Sequence, residues 1–122
     1  MEIKPRVFLI GETRIRYDEL AAYLEHIGVP DWDSPSANSD AEQLAEVYGR
    51  ICYKSFDVSL NPNLTRIHTG NEAFLQNIIK QRHGSVLESI QTNWVFADVS
   101  RVLCMELIRH RAGCAISQES LR

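Results

Sequence analysis

The chain has 122 residues, of which 44% are hydrophobic and 24% are charged, and its formal net charge is −3. These values are ordinary for a globular protein, and we expect a single domain spanning residues 1–122. The negative charge argues against general binding to nucleic acid or to an anionic membrane surface. No apolar run approaches the ~20 residues of a membrane span, and the N-terminus lacks the apolar region of a signal peptide.

Three cysteines, Cys52, Cys104 and Cys114, are odd in number and widely spaced, with no C-x-x-C pair. This pattern argues against a disulfide framework and against a structural zinc site. We therefore expect no bound metal, and a reducing, cytoplasmic location.

The hydrophobic periodicity predicts a mixture of strands and helices in one chain. Two strands are predicted: a buried one at Arg6–Gly11 and a half-buried one at Ser89–Asp98. Four helices are predicted: Tyr17–Ile27, a helix from Ser39 or Asp40 through Ile51, a helix from Asn71 to about His83, and Arg101–His110. Gly11 is followed by no further nearby glycine, so there is no phosphate-binding glycine loop. The polar segment Asp31–Ser39 is predicted to be a mobile loop that Trp32 alone anchors.

The last fourteen residues, RHRAGCAISQESLR, concentrate cations and small polar side chains. Guanidinium groups offer planar forks of donors that match phosphate or carboxylate oxygens. Gly113 and its small neighbours let backbone N–H groups approach an anion closely. The segment predicts a site for an anionic ligand, with phosphate the favoured one.

Four motifs together resemble the flavin-dependent thymidylate synthases. The family's RHR-x(7 or 8)-S signature is matched by Arg109-His110-Arg111, which Ser120 follows after a spacer of eight residues. The family's H-x-S-V-L-E-H box is similar to HGSVLE, His83 to Glu88. Ser100-Arg101 resembles the SR pair upstream of the signature, and AEVYGRICYKS resembles the aaR-x-CY-x-S segment. The resemblance runs from Ala45 to the last residue, with a looser match in the first strand.

The resemblance implies an α+β fold, an antiparallel sheet flanked by helices, in a homotetramer whose active sites are shared among subunits. It implies an FAD-dependent enzyme that converts dUMP to dTMP by reductive methylation, using methylenetetrahydrofolate and NADPH. In such an enzyme the protein contributes positioning and electrostatics, while the flavin carries the difficult chemistry. The family continues beyond the point that corresponds to Arg122, so the chain looks truncated, and we expect residues 1–122 alone to be inactive.

The resemblance also assigns roles to individual residues of this sequence. It places flavin binding at His83, Ser85, Glu88, Arg109 and His110. It places nucleotide binding at Glu106, Arg111, Gln118, Ser120 and Arg122, the last three forming a phosphate cradle. Arg109, His110 and Arg111 are the residues that it brings closest to the reaction.

Three positions depart from the family pattern. Ser89 stands where the H-x-S-V-L-E-H box has its second histidine, and Met105 replaces a usual polar residue. Glu106 replaces a glutamine that faces the nucleotide, and an ionised carboxylate can only accept hydrogen bonds, whereas an amide can also donate. These changes affect the expected substrate contacts rather than the expected fold.

Helical spacing places Glu106 beside both Arg109 and His110. One interpretation is a surface ion pair worth well under ~1 kcal/mol. The other is a carboxylate that orients the guanidinium and raises the pKa of the imidazole, preparing both for a ligand.

Other interpretations of the same motifs remain open. The segment His83–Glu88 is also typical of a helix end at Gly84 followed by a short second helix with Val86 and Leu87 in the core. Arg82-His83-Gly84 resembles the RHG motif of histidine phosphatases, but it ends a helix in mid-chain instead of following a first strand. A hydrolase of phosphate esters would need metal ligands or a nucleophile with an adjacent base, and the sequence shows neither pattern.

Two further hypotheses place the whole chain in another class. The first is a non-catalytic flavin- or nucleotide-binding homologue, in which Ser89 and Glu106 mark lost contacts. The second is an assembly fragment whose arginines pair with acidic partner surfaces.

Overall fold

The computed structural model describes residues 4–56, 62–63 and 66–120. The described elements, in chain order, are β1 (Arg6–Glu12), α1 (Tyr17–His26), α2 (Asp40–Tyr53), α3 (Asn71–Lys80), a 3-10 turn (Gly84–Leu87), β2 (Thr92–Ala97) and α4 (Arg101–Leu107). The predicted α+β class is confirmed. The chain divides into two compact units, Glu12–Gln91, here called the helical unit, and Met1–Gly11 with Thr92–Arg122, here called the sheet unit.

In the sheet unit, β1 and β2 form a two-stranded antiparallel sheet. Gly11 lies close to its cross-strand neighbour, because a Cβ there would come within 2.9 Å of Asn93 Oδ1. The prediction that Arg6–Gly11 is buried is wrong for this chain, since Val7, Leu9 and Ile10 are exposed. β2 is likewise exposed rather than half-buried along most of its length. A two-stranded sheet has too few strands to bury both of its faces.

The helix that follows β2 begins where the sequence predicts and ends earlier. The Ser100 hydroxyl accepts the Leu103 N–H at 3.1 Å, as expected of an N-cap. α4 ends at Leu107 instead of at His110. The next N–H groups, of Arg109 and His110, bond three residues back, so the chain tightens there and leaves the α-helical path.

The helical unit contains two small hydrophobic clusters. α1 ends just before Gly28, whose φ of +82° is the left-handed conformation that glycine adopts without strain. The first cluster is built on Leu24, Val47 and Phe56, and Trp32 packs edge-on against the Phe56 ring. The second cluster consists of Phe74, Ile78 and Val86, with Tyr53 and Leu75 packed against it.

The end of α3 differs from the prediction. The helix stops at Lys80, and the chain leaves it through Arg82, which has a φ of +58°. The His83 N–H then donates to the Ile78 carbonyl at 3.0 Å, a hydrogen bond typical of a helix that ends in a residue of left-handed conformation. Val86 of the following turn is buried as predicted, whereas Leu87 is exposed.

The loop Asp31–Ser39 is held by more than Trp32. Ser34 is buried, and its hydroxyl donates to the Glu46 carboxylate. The Ser36 hydroxyl accepts the Asn71 N–H at 2.8 Å, at the start of α3. The prediction of a single aromatic anchor is therefore wrong, because two serine side chains bond the loop to α2 and α3.

A buried ion pair on α2 organises the helical unit. The Arg50 Nε and Nη2 donate to Glu46 Oε1 at 2.8 and 2.6 Å, and both side chains are at most 5% exposed. The remaining Arg50 donors reach the carbonyls of Ser55, at 2.8 Å, and His68, at 2.9 Å. Asn71 Nδ2 donates to Glu46 Oε2 at 2.9 Å. Every polar side-chain atom of the pair thus makes at least one hydrogen bond, which buried charges require.

Replacing Glu46 by Gln should strongly destabilise the protein, because it leaves the Arg50 charge buried without a counter-charge. We expect a loss of about 3–5 kcal/mol in the free energy of unfolding, measured by urea titration. Glu106→Gln is the matched control, since the Glu106–Arg109 pair is 3.8 Å long and exposed. It should change stability by less than about 0.5 kcal/mol. Equal effects of the two substitutions would contradict the role assigned to the buried pair.

Gly49 lets α2 and α3 approach each other. A Cβ at this position would lie 2.6 Å from Phe74 Cε1, and the Phe74 ring is itself buried. Gly49→Ala should lower stability by about 1–3 kcal/mol, since overpacking outweighs the roughly 1 kcal/mol that alanine adds to helix propensity. The thermal unfolding midpoint measures this effect. Gly84→Ala is the control, because no atom lies within 4 Å of its Cβ position and the midpoint should barely move.

Candidate functional site

The residues expected to bind flavin and nucleotide fall into two groups, one in each unit. His83, Ser85 and Glu88 belong to the helical unit, while the segment from Glu106 onward belongs to the sheet unit. Each group is described by itself.

In the helical unit, the 3-10 turn presents a short polar edge. His83 is the residue that precedes the turn, and Glu88 is the residue that follows it. The side chains of Ser85 and Glu88 are exposed and make no hydrogen bond or ion pair with the other described residues. A hydroxyl and a carboxylate thus lie three positions apart, available to a ligand that offers both acceptors and donors. The structure has the short second helix of the alternative in the form of this turn, but α3 ends at Lys80 rather than at Gly84, and Leu87 is exposed.

Ser89, which replaces the family's histidine, is also exposed. Its hydroxyl lies 3.5 Å from the Val86 carbonyl, a long contact within its own turn. Nothing in this geometry substitutes for an imidazole.

His83 is the only half-buried member of the group and has a side-chain partner that the sequence did not predict. Tyr53 Oη lies 2.6 Å from His83 Nδ1, and the two rings stack with their centroids 5.3 Å apart. Burial is the main cause that raises the pKa of Tyr53 above its ordinary value of 10.0, followed by the neighbouring Cys52. A signal was present in the sequence, because Tyr53 belongs to the CY-x-S part of the motif, but no role was attached to it.

In the sheet unit, Arg109, His110 and Arg111 follow the end of α4 and are exposed. The Cys114 N–H reaches the Arg111 carbonyl at 3.4 Å, closing a turn in which Gly113 has a φ of +73°. A type II turn requires such a value at its third residue. The predicted glycine loop is therefore present, and it directly follows the three cationic residues.

The Glu106 carboxylate pairs with only one of its two expected neighbours. It lies 3.8 Å from Arg109 Nη1, and both side chains are more than half exposed. Among the described residues it makes no ion pair with His110. Solvent screens a pair of this length and exposure, so the weak surface interpretation fits Arg109. α4 has already ended at Leu107, so the helical spacing that predicted Glu106 beside His110 does not extend to His110.

The phosphate cradle expected at Gln118, Ser120 and Arg122 is described in part. Gln118 and Ser120 are exposed, and Arg122 lies outside the described residues. Arg101 Nη2 is 3.5 Å from the Glu119 carbonyl, which links this tail to the start of α4. The tail and the helix are thus neighbours within the sheet unit.

Other candidate features lie elsewhere or are not found. A surface depression bordered by Val29, Trp32 and Phe56 contains none of the expected site residues. Within residues 4–56, 62–63 and 66–120, no cluster of three or more His, Cys, Asp or Glu could hold a metal ion. The three cysteines are free thiols, and Cys114, for which the sequence favoured packing, is exposed. No helix in the described part of the chain has the length and apolar character needed to cross a membrane.

Comparison with known proteins identifies the relatives of this chain. Residues 36–122 match the family model described as thymidylate synthase complementing protein. A flavin-dependent thymidylate synthase of Corynebacterium aurimucosum is 36% identical over 102 residues, which are 84% of this chain and 39% of the relative. That of Mycobacteroides abscessus is 37% identical over 93 residues, 76% of this chain and 35% of the relative.

The chain therefore spans less than two fifths of the length of these relatives. The family match begins upstream of Ala45, where the resemblance of the motifs began. It includes both groups of candidate residues, and on this evidence the chain belongs to the thymidylate synthase complementing protein family, that of the flavin-dependent thymidylate synthases.

Proposed function

We propose that this chain forms part of an FAD-dependent thymidylate synthase, which converts dUMP to dTMP with methylenetetrahydrofolate and NADPH. The observation that carries the proposal is the exposed run Arg109–His110–Arg111, presented between the end of α4 and the Gly113 turn. Arg111 makes no ion pair with any described residue, so its guanidinium fork is available to an anion. Family membership supports the identity of that anion as a nucleotide.

The polar groups of the helical unit fit one part of a flavin cofactor. FAD carries ring carbonyls and ribose hydroxyls, which need donors and acceptors at once. The Glu88 carboxylate accepts from hydroxyl or N–H groups, and the Ser85 hydroxyl both donates and accepts. Both side chains are exposed and have no partner in the part of the chain that the structure describes. We assign His83, Ser85 and Glu88 to the flavin, together with Arg109 and His110. When bound, FAD supplies the hydride of the reaction.

The sheet unit supplies the proposed nucleotide contacts. Arg111 and Arg122 bind the phosphate as bidentate cations, while Gln118 and Ser120 add neutral donors. Glu106 can only accept, so we assign it to an N–H or hydroxyl of the nucleotide rather than to its phosphate. Its pair with Arg109 is long and exposed, which leaves both groups free to reorganise on a ligand.

An oligomer accounts for the exposed apolar surface of the sheet unit. None of its described residues is buried in the single chain, although Phe8, Trp94, Phe96 and Met105 are among its side chains. Large contiguous apolar surfaces of this kind mark protein interfaces. We propose that further copies of the protein cover it in a homotetramer, in the cytoplasm, and that active sites are completed between copies.

A non-catalytic homologue is the second candidate. The observation that favours it is the pair of departures at Ser89 and Glu106, because Ser89 contacts only its own turn and Glu106 cannot donate. Such a protein would bind flavin or nucleotide without turnover.

An absorbance spectrum of the purified chain in the presence of FAD, before and after addition of dUMP, tests the proposed ligands. We expect flavin bands that shift when dUMP is added. Tritium release from labelled dUMP measures turnover, and residues 1–122 alone should show little or none. Flavin bands without turnover in a longer form of the protein would favour the non-catalytic homologue. Absence of both flavin and dUMP binding would contradict both candidates.

Arg111→Ala should weaken dUMP binding about 10- to 100-fold, because charge-assisted hydrogen bonds to phosphate are lost. Isothermal titration measures the affinity. Arg14→Ala is the matched control, since Arg14 is an exposed arginine of the helical unit whose ion pair among the described residues is with Glu12, at 3.1 Å. A similar affinity in the two variants would contradict the role of Arg111.

A further inference from the structure

The contact between Tyr53 and His83 joins a helix end to the proposed flavin-binding edge. Tyr53 is the last residue of α2, and His83 is the residue before the 3-10 turn. Their Oη–Nδ1 distance is 2.6 Å, and their rings lie 27° from parallel. Both residues belong to the helical unit, so this geometry does not depend on the rest of the chain.

The direction of this hydrogen bond follows from the partners available. A neutral imidazole has one N–H and one bare nitrogen, and a phenol can donate or accept. If His83 Nδ1–H donated to Tyr53, the phenolic proton would need another acceptor. The described residues provide no second partner for the Tyr53 hydroxyl. Donation from Tyr53 Oη to a bare His83 Nδ1 uses the phenolic proton fully and leaves the imidazole proton on Nε2.

Tyr53 is packed where its hydroxyl can act as a donor. The ring packs against the cluster of Phe74, Ile78 and Val86. A phenol carries its proton at neutral pH in any case, and burial raises the pKa of Tyr53 further above 10.0. The proton of this hydroxyl is therefore available for donation to His83.

The His83 ring is fixed from its backbone as well. The His83 N–H is bonded to the Ile78 carbonyl at 3.0 Å, and the preceding residue, Arg82, is in the left-handed conformation. Only a narrow range of ring positions then satisfies both the backbone bond and the stacking on Tyr53. The Nε2 atom is the ring nitrogen that Tyr53 leaves available.

We propose that Tyr53 is a positioning residue that holds His83 in the tautomer with its proton on Nε2, so that His83 presents a fixed N–H donor to an acceptor group of the flavin. This inference rests on the proposed function, since it takes the ligand to be a flavin. The acceptor is a carbonyl or phosphate oxygen or a ring nitrogen, because an N–H group can only donate. Tyr53 itself need not touch the ligand.

The test is nitrogen-15 NMR of the imidazole rings in the chain labelled at histidine, without added flavin. The spectra are recorded at about pH 8.5, above the range in which imidazoles ordinarily titrate. A His83→Gln variant identifies the His83 signals among those of the four histidines. We expect a protonated Nε2 and a bare Nδ1 whose signal carries the shift of a hydrogen-bond acceptor.

Tyr53→Phe removes the hydroxyl and keeps the stacked ring. The Nδ1 signal should move toward that of an imidazole nitrogen without a hydrogen bond, and a minor Nδ1-protonated form should appear. The affinity for FAD should fall about three- to tenfold, the amount that one ordinary hydrogen bond contributes. Tyr48→Phe is the matched control, because Tyr48 lies on the same helix, is exposed, and makes no hydrogen bond or ring contact with a histidine of the described residues. It should leave the His83 signals and FAD affinity unchanged.

Three results would overturn the proposal. They are a wild-type His83 with its proton on Nδ1, His83 signals that do not respond to Tyr53→Phe, and a changed tautomer with unaltered FAD affinity. Failure of all variants, Tyr48→Phe included, to bind FAD would instead overturn the proposed function. The imidazole signals still decide the Tyr53–His83 contact in that case, because they are recorded without flavin.

Discussion

The ion pair between Glu46 and Arg50 is the interaction on which the helical unit depends. Two charges one helical turn apart are almost fully buried, and such burial is unfavourable unless every donor and acceptor is used. Here the donors of Arg50 bind backbone carbonyls near the two ends of the segment between α2 and α3, and Glu46 binds Ser34 and Asn71. The pair therefore fixes how the loops are placed around α2 as well as stabilising the helix itself.

One face of α2 combines this structural role with a functional one. Glu46, Gly49, Arg50 and Tyr53 recur at helical spacing, so they lie along one side of the helix. Gly49 permits the approach of Phe74, and Tyr53 reaches His83 beyond the end of α3. The position of the His83 ring is consequently set by the same packing that buries the ion pair. Substitutions in this face should therefore alter stability and, if the proposed flavin contact holds, the geometry of that contact as well.

The sheet unit, in contrast to the helical unit, has most of its apolar and charged side chains exposed. Its strands and α4 are rich in large apolar side chains, yet none of its described residues is buried within the single chain. Its cationic segment is similarly exposed, with one weak ion pair at Arg109. The proposed homotetramer would cover these apolar side chains and complete the ligand sites between copies.

The sequence by itself determined the family and, through that resemblance, the α+β class, because the spacing of motifs is a local property of the chain. It also identified the Gly113 turn beside Arg111. Only the tertiary structure decided where α3 and α4 end, since those ends depend on a left-handed residue at Arg82 and on the tightening after Leu107. The sequence likewise could not predict the contacts of Arg50 with His68, of Gly49 with Phe74 and of Tyr53 with His83. Each joins residues far apart in the chain, whose proximity arises only from packing.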